Sequence, residues 1–88
     1  SLKGAEGLIT IEGHTDNVPV AFSERFRSNW DLSAARSAAV ADYLLDSASL
    51  EGGNVMVTGL ADTKPIMPND TKEGRAKNRR IEIVIDGS

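Results

Sequence analysis

The segment Gly13-His14-Thr15-Asp16-Asn17 groups an imidazole, a hydroxyl, a carboxylate and an amide directly after a short β-branched run. Such a group can hold a metal, run acid–base chemistry or fasten a loop. His14 and Asp16 alone make an incomplete ligand set, and the chain has no other His and no Cys, so no metal site is expected. Hydrolysis would need a nucleophile on a tight elbow with a base beside it, and no such segment occurs. The remaining reading has His14, Thr15 and Asp16 bonding nearby backbone groups and so tying the loop down.

Two basic features extend this inventory. Arg36 lies one helical turn after Leu32 and one before Val40, at the edge of the face expected to pack inward. Its aliphatic stem could cover apolar surface, or its planar fork could grip a carboxylate in a pocket. Asp16 and Arg36 facing one cleft would suit a zwitterion. An ordinary Asp–Arg salt bridge accounts for the same pair equally well. Arg75-Ala76-Lys77-Asn78-Arg79-Arg80 holds four of the 10 basic residues. Nucleic acid would need a wider basic surface with aromatic platforms. A solvated helix end, or one arginine entering the cleft, fits better; Arg79 and Arg80 face opposite sides of an extended chain.

The elements that must position these groups follow from hydrophobic patterning. Leu8-Ile9-Thr10-Ile11, bounded by Gly7 and Gly13, reads as a strand, followed by a long loop from His14 to about Asn29. Residues 31–46 read as a helix whose apolar stripe is Leu32, Ala35, Ala39 and Tyr43, with Arg36, Val40 and Leu44 beside it. Ser28, Asn29, Asp31 and Ser33 are all candidate caps. Gly52-Gly53 ends this region, and Val55-Met56-Val57-Thr58 forms a second strand closed by Gly59. Residues 60–71, with Pro65 and Pro68, read as a loop; residues 71–77 as one or two helical turns; and Ile81-Glu82-Ile83-Val84-Ile85 as a third strand. A helix of this length between the first two strands implies a right-handed crossover and parallel pairing.

Composition sets the limits. The 88 residues allow one domain, with 10 basic against 13 acidic side chains and a net charge of −3. That balance argues against bulk-charge binding of nucleic acid. Without Cys there is no disulfide framework or thiol chemistry, and 5% aromatic residues disfavour a ring-lined cavity. No apolar run reaches the roughly 18–20 residues needed to cross a bilayer. The opening Ser1-Leu2-Lys3-Gly4 lacks an initiator Met and reads as the start of a fragment.

Three ordered motifs, Gly13-His14-Thr15-Asp16-Asn17, Asn29-x-x-Leu32-Ser33-x-x-Arg36 and Glu73-Gly74-Arg75-x-x-Asn78-Arg79-Arg80-Ile81-Glu82-Ile83, resemble the OmpA-like peptidoglycan-binding domain. The resemblance runs from about Ile9 to Ile85, and Asn17-Val18-Pro19, the long loop and Phe26-x-Ser28-Asn29-Trp30 are most similar to its flagellar stator branch. It implies a single domain over 1–88 with a core of about 8–86. The implied fold is an α/β (α+β) two-layer sandwich of βαβαββ type lacking its first strand and helix. Its mixed sheet would carry the helices on one face and set the last strand antiparallel beside the first. It implies a non-catalytic, cofactor-free anchor in the periplasm, tied to the inner membrane, that binds the diaminopimelate of the peptidoglycan stem peptide. Asp16, Asn29, Leu32, Arg36 and Arg79 would form the ligand site, supported by Thr15, Ser33 and Asn78. A homodimer and a channel-forming stator subunit are the implied partners. A dimerisation module that positions a membrane channel, or another envelope anchor of this family, is the alternative. Pro19, where many members have Gly, and the lengthened loop leave Val18 and residues 22–27 without assigned roles.

Overall fold

The computed structural model describes residues 8–20, 25–47 and 54–86. Phe22 and the Gly52-Gly53 stop fall outside these residues. The elements are β1 (Leu8–His14), α1 (Asn29–Ser47), β2 (Val55–Gly59), α2 (Lys72–Asn78) and β3 (Arg80–Asp86). The strands form one sheet in the order β2-β1-β3. β1 pairs parallel with β2 and antiparallel with β3, the mixed topology expected. No helix of the described residues is long and apolar enough to cross a membrane.

β1 runs three residues past the expected Ile11, so His14 belongs to the strand and not to the loop. Alternation then puts Ile9, Ile11 and Gly13 on one face, level with Val55, Val57 and Gly59 of β2. Helix α1 packs on this face across β1 and β2, and Ile9, Ile11 and Ala41 form the buried core. Val40, Leu44, Val55 and Ile81 pack against its rim. Ile83 and Ile85 of β3 share the face yet remain 49% and 53% exposed.

The inward row of α1 differs from the expected one. Ser33, Ser37 and Ala41 are buried, whereas Ala35 and Ala39 are exposed and Tyr43 is 69% exposed. The reason is the closeness of helix and sheet. A methyl group on Gly13 would stand 2.2 Å from the Ser33 carbonyl oxygen, and one on Gly59 2.5 Å from the Ala34 amide nitrogen. Only small side chains fit such an approach, and the two serines also satisfy polar atoms there. The Ser37 hydroxyl donates to the Thr58 carbonyl at 2.9 Å. Ser33 Oγ donates to the Trp30 carbonyl at 3.2 Å and accepts from the Ala61 amide at 3.1 Å.

At the helix start, Ser28 acts as the cap: its Oγ accepts from the Asp31 amide at 3.3 Å and its carbonyl from the Leu32 amide. Replacing Gly59 by Ala should lower the free energy of unfolding by about 1–3 kcal/mol, the usual cost of overpacking. Urea titration should show this as a lower midpoint with an unchanged slope.

Candidate functional site

β1 and β2 are parallel, so their carboxyl ends, His14 and Gly59, share one edge of the sheet, where ligands of open α/β sheets gather. The connections leaving that edge are stitched together. The Leu60 amide donates to the Gly13 carbonyl at 2.9 Å and the Thr15 amide to the Ala61 carbonyl at 2.8 Å. Ala61 is 1% exposed and holds φ at +51°, the left-handed region that costs a non-glycine residue about 1–2 kcal/mol. Its bonds to Ser33 and Thr15 hold it there. Nothing in the sequence flags Ala61, because alanine carries no turn signature.

The chemistry centres on Asp16, which is 7% exposed. Its Oδ1 accepts from the Val18 amide at 3.0 Å and its Oδ2 from Arg79 Nη1 at 2.6 Å. The Thr15 hydroxyl donates to the Asp16 carbonyl at 2.7 Å. Asn29, the first residue of α1, donates its side-chain amide to the carbonyls of Asp16, at 3.4 Å, and Val18, at 3.1 Å. Asp16, Asn29 and Arg79 are thus brought together, with Thr15 and Ser33 buried beneath them. Arg79 keeps 46% of its side chain exposed, and donors of its guanidinium remain for a ligand.

Of the readings open for Arg36, the salt bridge with Asp16 is the one not formed. Arg36 is exposed and forms no hydrogen bond or ion pair among the described residues, so the partner of Asp16 is Arg79. Arg36 still shares a helical row with Asn29 and the half-buried Leu32, by the spacing of seven and four residues. An open groove of about 470 Å³ lies beside the start of α1, lined by Asn17, Val20, Arg27, Asn29, Trp30 and Asp62 among others.

Asn78 supports the site from below and is fully buried. Its Oδ1 accepts from the amides of Ile66, at 2.8 Å, and Met67, at 3.0 Å. Its Nδ2 donates to the Met67 carbonyl and to Asn69 Oδ1, both at 2.8 Å. One side chain thereby fixes the loop ahead of α2, whose first turn is capped by Thr71. Arg79 and Arg80 diverge as expected. Arg79 reaches Asp16, while Arg80 bonds Glu82 and donates to the Lys64 carbonyl at 2.9 Å and the Asn78 carbonyl at 3.2 Å.

His14 fastens no loop backbone; its Nε2 lies 3.3 Å from Glu12 Oε1 within β1. Nearby, the Arg80 guanidinium, by hydrogen bond and charge, holds the Glu82 carboxyl below the ordinary glutamate range, with a smaller contribution from His14. A depressed carboxyl stabilises the fold above its unfolded pKa and loses that contribution as pH falls through the folded value.

The mixed three-stranded sheet, two helices and charged cleft at one edge define an α+β domain whose site lies at the ends of its parallel strands. The OmpA family model matches residues 1–79, and the chain belongs to that family. It is 43% identical over 77 residues to Motility protein B of Bacillus subtilis, covering 88% of this chain and 29% of the relative. It is 46% identical over 81 residues to the peptidoglycan-binding protein ArfA of Mycobacterium tuberculosis, covering 92% of this chain and 23% of that protein. The chain thus spans less than a third of these relatives. Among solved structures it resembles the C-terminal domain of Helicobacter pylori MotB, with a TM-score of 0.88, 30% identity, and 98% and 64% of the two chains covered. It also resembles the cell wall anchor of the type VI secretion system from Pseudomonas aeruginosa, with a TM-score of 0.82 and 40% identity over 94% and 56%.

Replacing Asn78 by Ala should cost roughly 2–3 kcal/mol, because several buried partners lose their bonds together. Asp at this position should not rescue thermal stability, since a carboxylate cannot supply the two amide donors. Glu82→Gln should flatten the acid limb of a stability–pH profile below about pH 4.5, the ordinary value of this carboxyl.

Proposed function

We propose that this domain is a non-enzymatic peptidoglycan anchor whose cleft grips the diaminopimelate of the stem peptide. The observation that carries the proposal is the Asp16–Arg79 pair, an acid and a guanidinium at 2.6 Å on the strand-end edge. Arg79 keeps guanidinium donors toward solvent, and each Asp16 oxygen, though buried, keeps a second lone pair. A ligand carrying an ammonium and a carboxylate can engage both groups without leaving either charge unpaired. A ligand with one charge must compete with the existing pair. Arg36 adds a second cation on the row of Asn29 and Leu32, suited to receive a carboxylate in two places. In support, ArfA is named a peptidoglycan-binding protein and the secretion-system structure a cell wall anchor.

The finer setting is the ion-driven flagellar stator, in the periplasm and tethered to the inner membrane. Likeness to Motility protein B and to MotB structures supports it. A second copy and a channel-forming subunit are its partners there. The outer edges of β2 and β3, which pair with no other described strand, support association with a second copy.

Asp16→Asn and Arg79→Gln should each reduce binding to purified sacculi at least about tenfold, equivalent to about 1.4 kcal/mol, with the far-UV circular dichroism unchanged. Free diaminopimelate should compete for the wild-type domain, and its monoamide should compete poorly. Full sacculus binding by both variants would overturn the site. Cells carrying Asp16→Asn should lose swimming, which reads the stator setting separately.

A further inference from the structure

The face of the sheet turned away from α1 carries a separate polar cluster. The antiparallel register sets Glu12 opposite Glu82 and His14 opposite Arg80. Like charges directly opposite one another destabilise a strand pair. Glu12, His14 and Glu82 each bring one ligand atom within 4.8 Å of the others. His14 is only 2% exposed, aims Nε2 at Glu12, and has no hydrogen-bond partner for Nδ1 among the described residues. Nε2 is therefore the ring nitrogen on the side of the cluster, and Nδ1 lies across the ring from it. Arg80 Nε donates to Glu82 Oε2, and the other carboxylate oxygen has no partner among the described residues.

We propose that Glu12, His14 and Glu82 bind a divalent transition ion of the Zn²⁺ type, clipping β1 to β3. One imidazole and two carboxylates form a nitrogen–oxygen donor set suited to a borderline ion, and three protein ligands leave a fourth position for water. The ion would separate the two facing carboxylates. Arg80 would stand behind Glu82 as the outer hydrogen-bond donor that orients a ligating carboxylate. Glu12 and Glu82 are both partly exposed, so their side chains are free to close on the ion. The expectation of no metal rested on His14 and Asp16. The fold commits Asp16 to Arg79 and supplies Glu82 across the ladder in its place. This site is independent of the peptidoglycan reading, since it lies on the sheet face and takes no part in the cleft.

The test is calorimetric titration of the whole chain with ZnCl₂, and with MgCl₂ as the contrast. One equivalent of Zn²⁺ should bind, raise Tm and release protons increasingly as pH falls toward the histidine range, while Mg²⁺ does none of these. Glu82→Gln and Glu12→Gln, both at partly exposed positions, should weaken Zn²⁺ at least about tenfold, in the range expected for loss of a metal-site partner. Co²⁺ in place of Zn²⁺ should give visible absorption that disappears in His14→Gln. Failure of the wild type to bind Zn²⁺, or binding unchanged in both glutamine variants, would overturn the proposal.

Discussion

The backbone contact between α1 and the two glycines Gly13 and Gly59 is the constraint on which the rest of the structure rests. Without side chains there, the helix settles against β1 and β2 at a distance that admits only serine and alanine on its inner face. That depth fixes the helix along its axis. Asn29 then falls beside Asp16 and Val18, and Ser33 beside Ala61. A helix held one side chain further out could not bond these loops, and the cleft would lose its floor.

A consequence of that closeness is that the interior is unusually polar. Among the described residues the buried apolar ones are Ile9, Ile11, Ala41 and Ala61, whereas His14, Thr15, Asp16, Ser33, Ser37 and Asn78 are also buried. Apart from His14 Nδ1, no buried side-chain nitrogen or oxygen among the described residues lacks a partner. Such interiors are sensitive to single deletions, because each lost partner strands another polar atom in a region of low dielectric. They also hold loops rigid. Residues 60–69 are tied by Ser33, Asn78, Arg75 and Arg80 to four different places, so the cleft edge is fixed before a ligand arrives.

Much of the fold was legible in the sequence, and for physical reasons. The three strands are β-branched runs bounded by glycine or polar turns, and helix length alone implied the parallel pairing of β1 and β2. The inward face of α1 was not legible. Its alanines suggest the wrong row, and the glycines that select Ser33 and Ser37 lie on two other segments. Asp16 and the arginine pair that includes Arg79 stood out by type, Asn29 only through the resemblance, and the structure brings Asp16, Asn29 and Arg79 together. That Asp16 pairs with Arg79 and not with Arg36 depends on strand register, which local spacing does not reveal. Ala61 and the facing Glu12 and Glu82 were invisible for the same reason: their significance comes only from what lies across the chain.

The Asp16–Arg79 bond joins residues 63 positions apart, one just beyond the end of the central strand and the other just ahead of the last strand. The cleft therefore cannot exist in any partly folded chain that has not docked β3. Contacts of such separation form late and slowly, because loop closure precedes their reward. Ligand affinity and cooperative folding become one equilibrium: whatever occupies the cleft selects the complete sheet, and at a free concentration of a hundred times Kd it would add about 2.7 kcal/mol to stability. A domain built this way is sturdiest with its cleft occupied, and fraying of the last strand would release whatever the cleft holds.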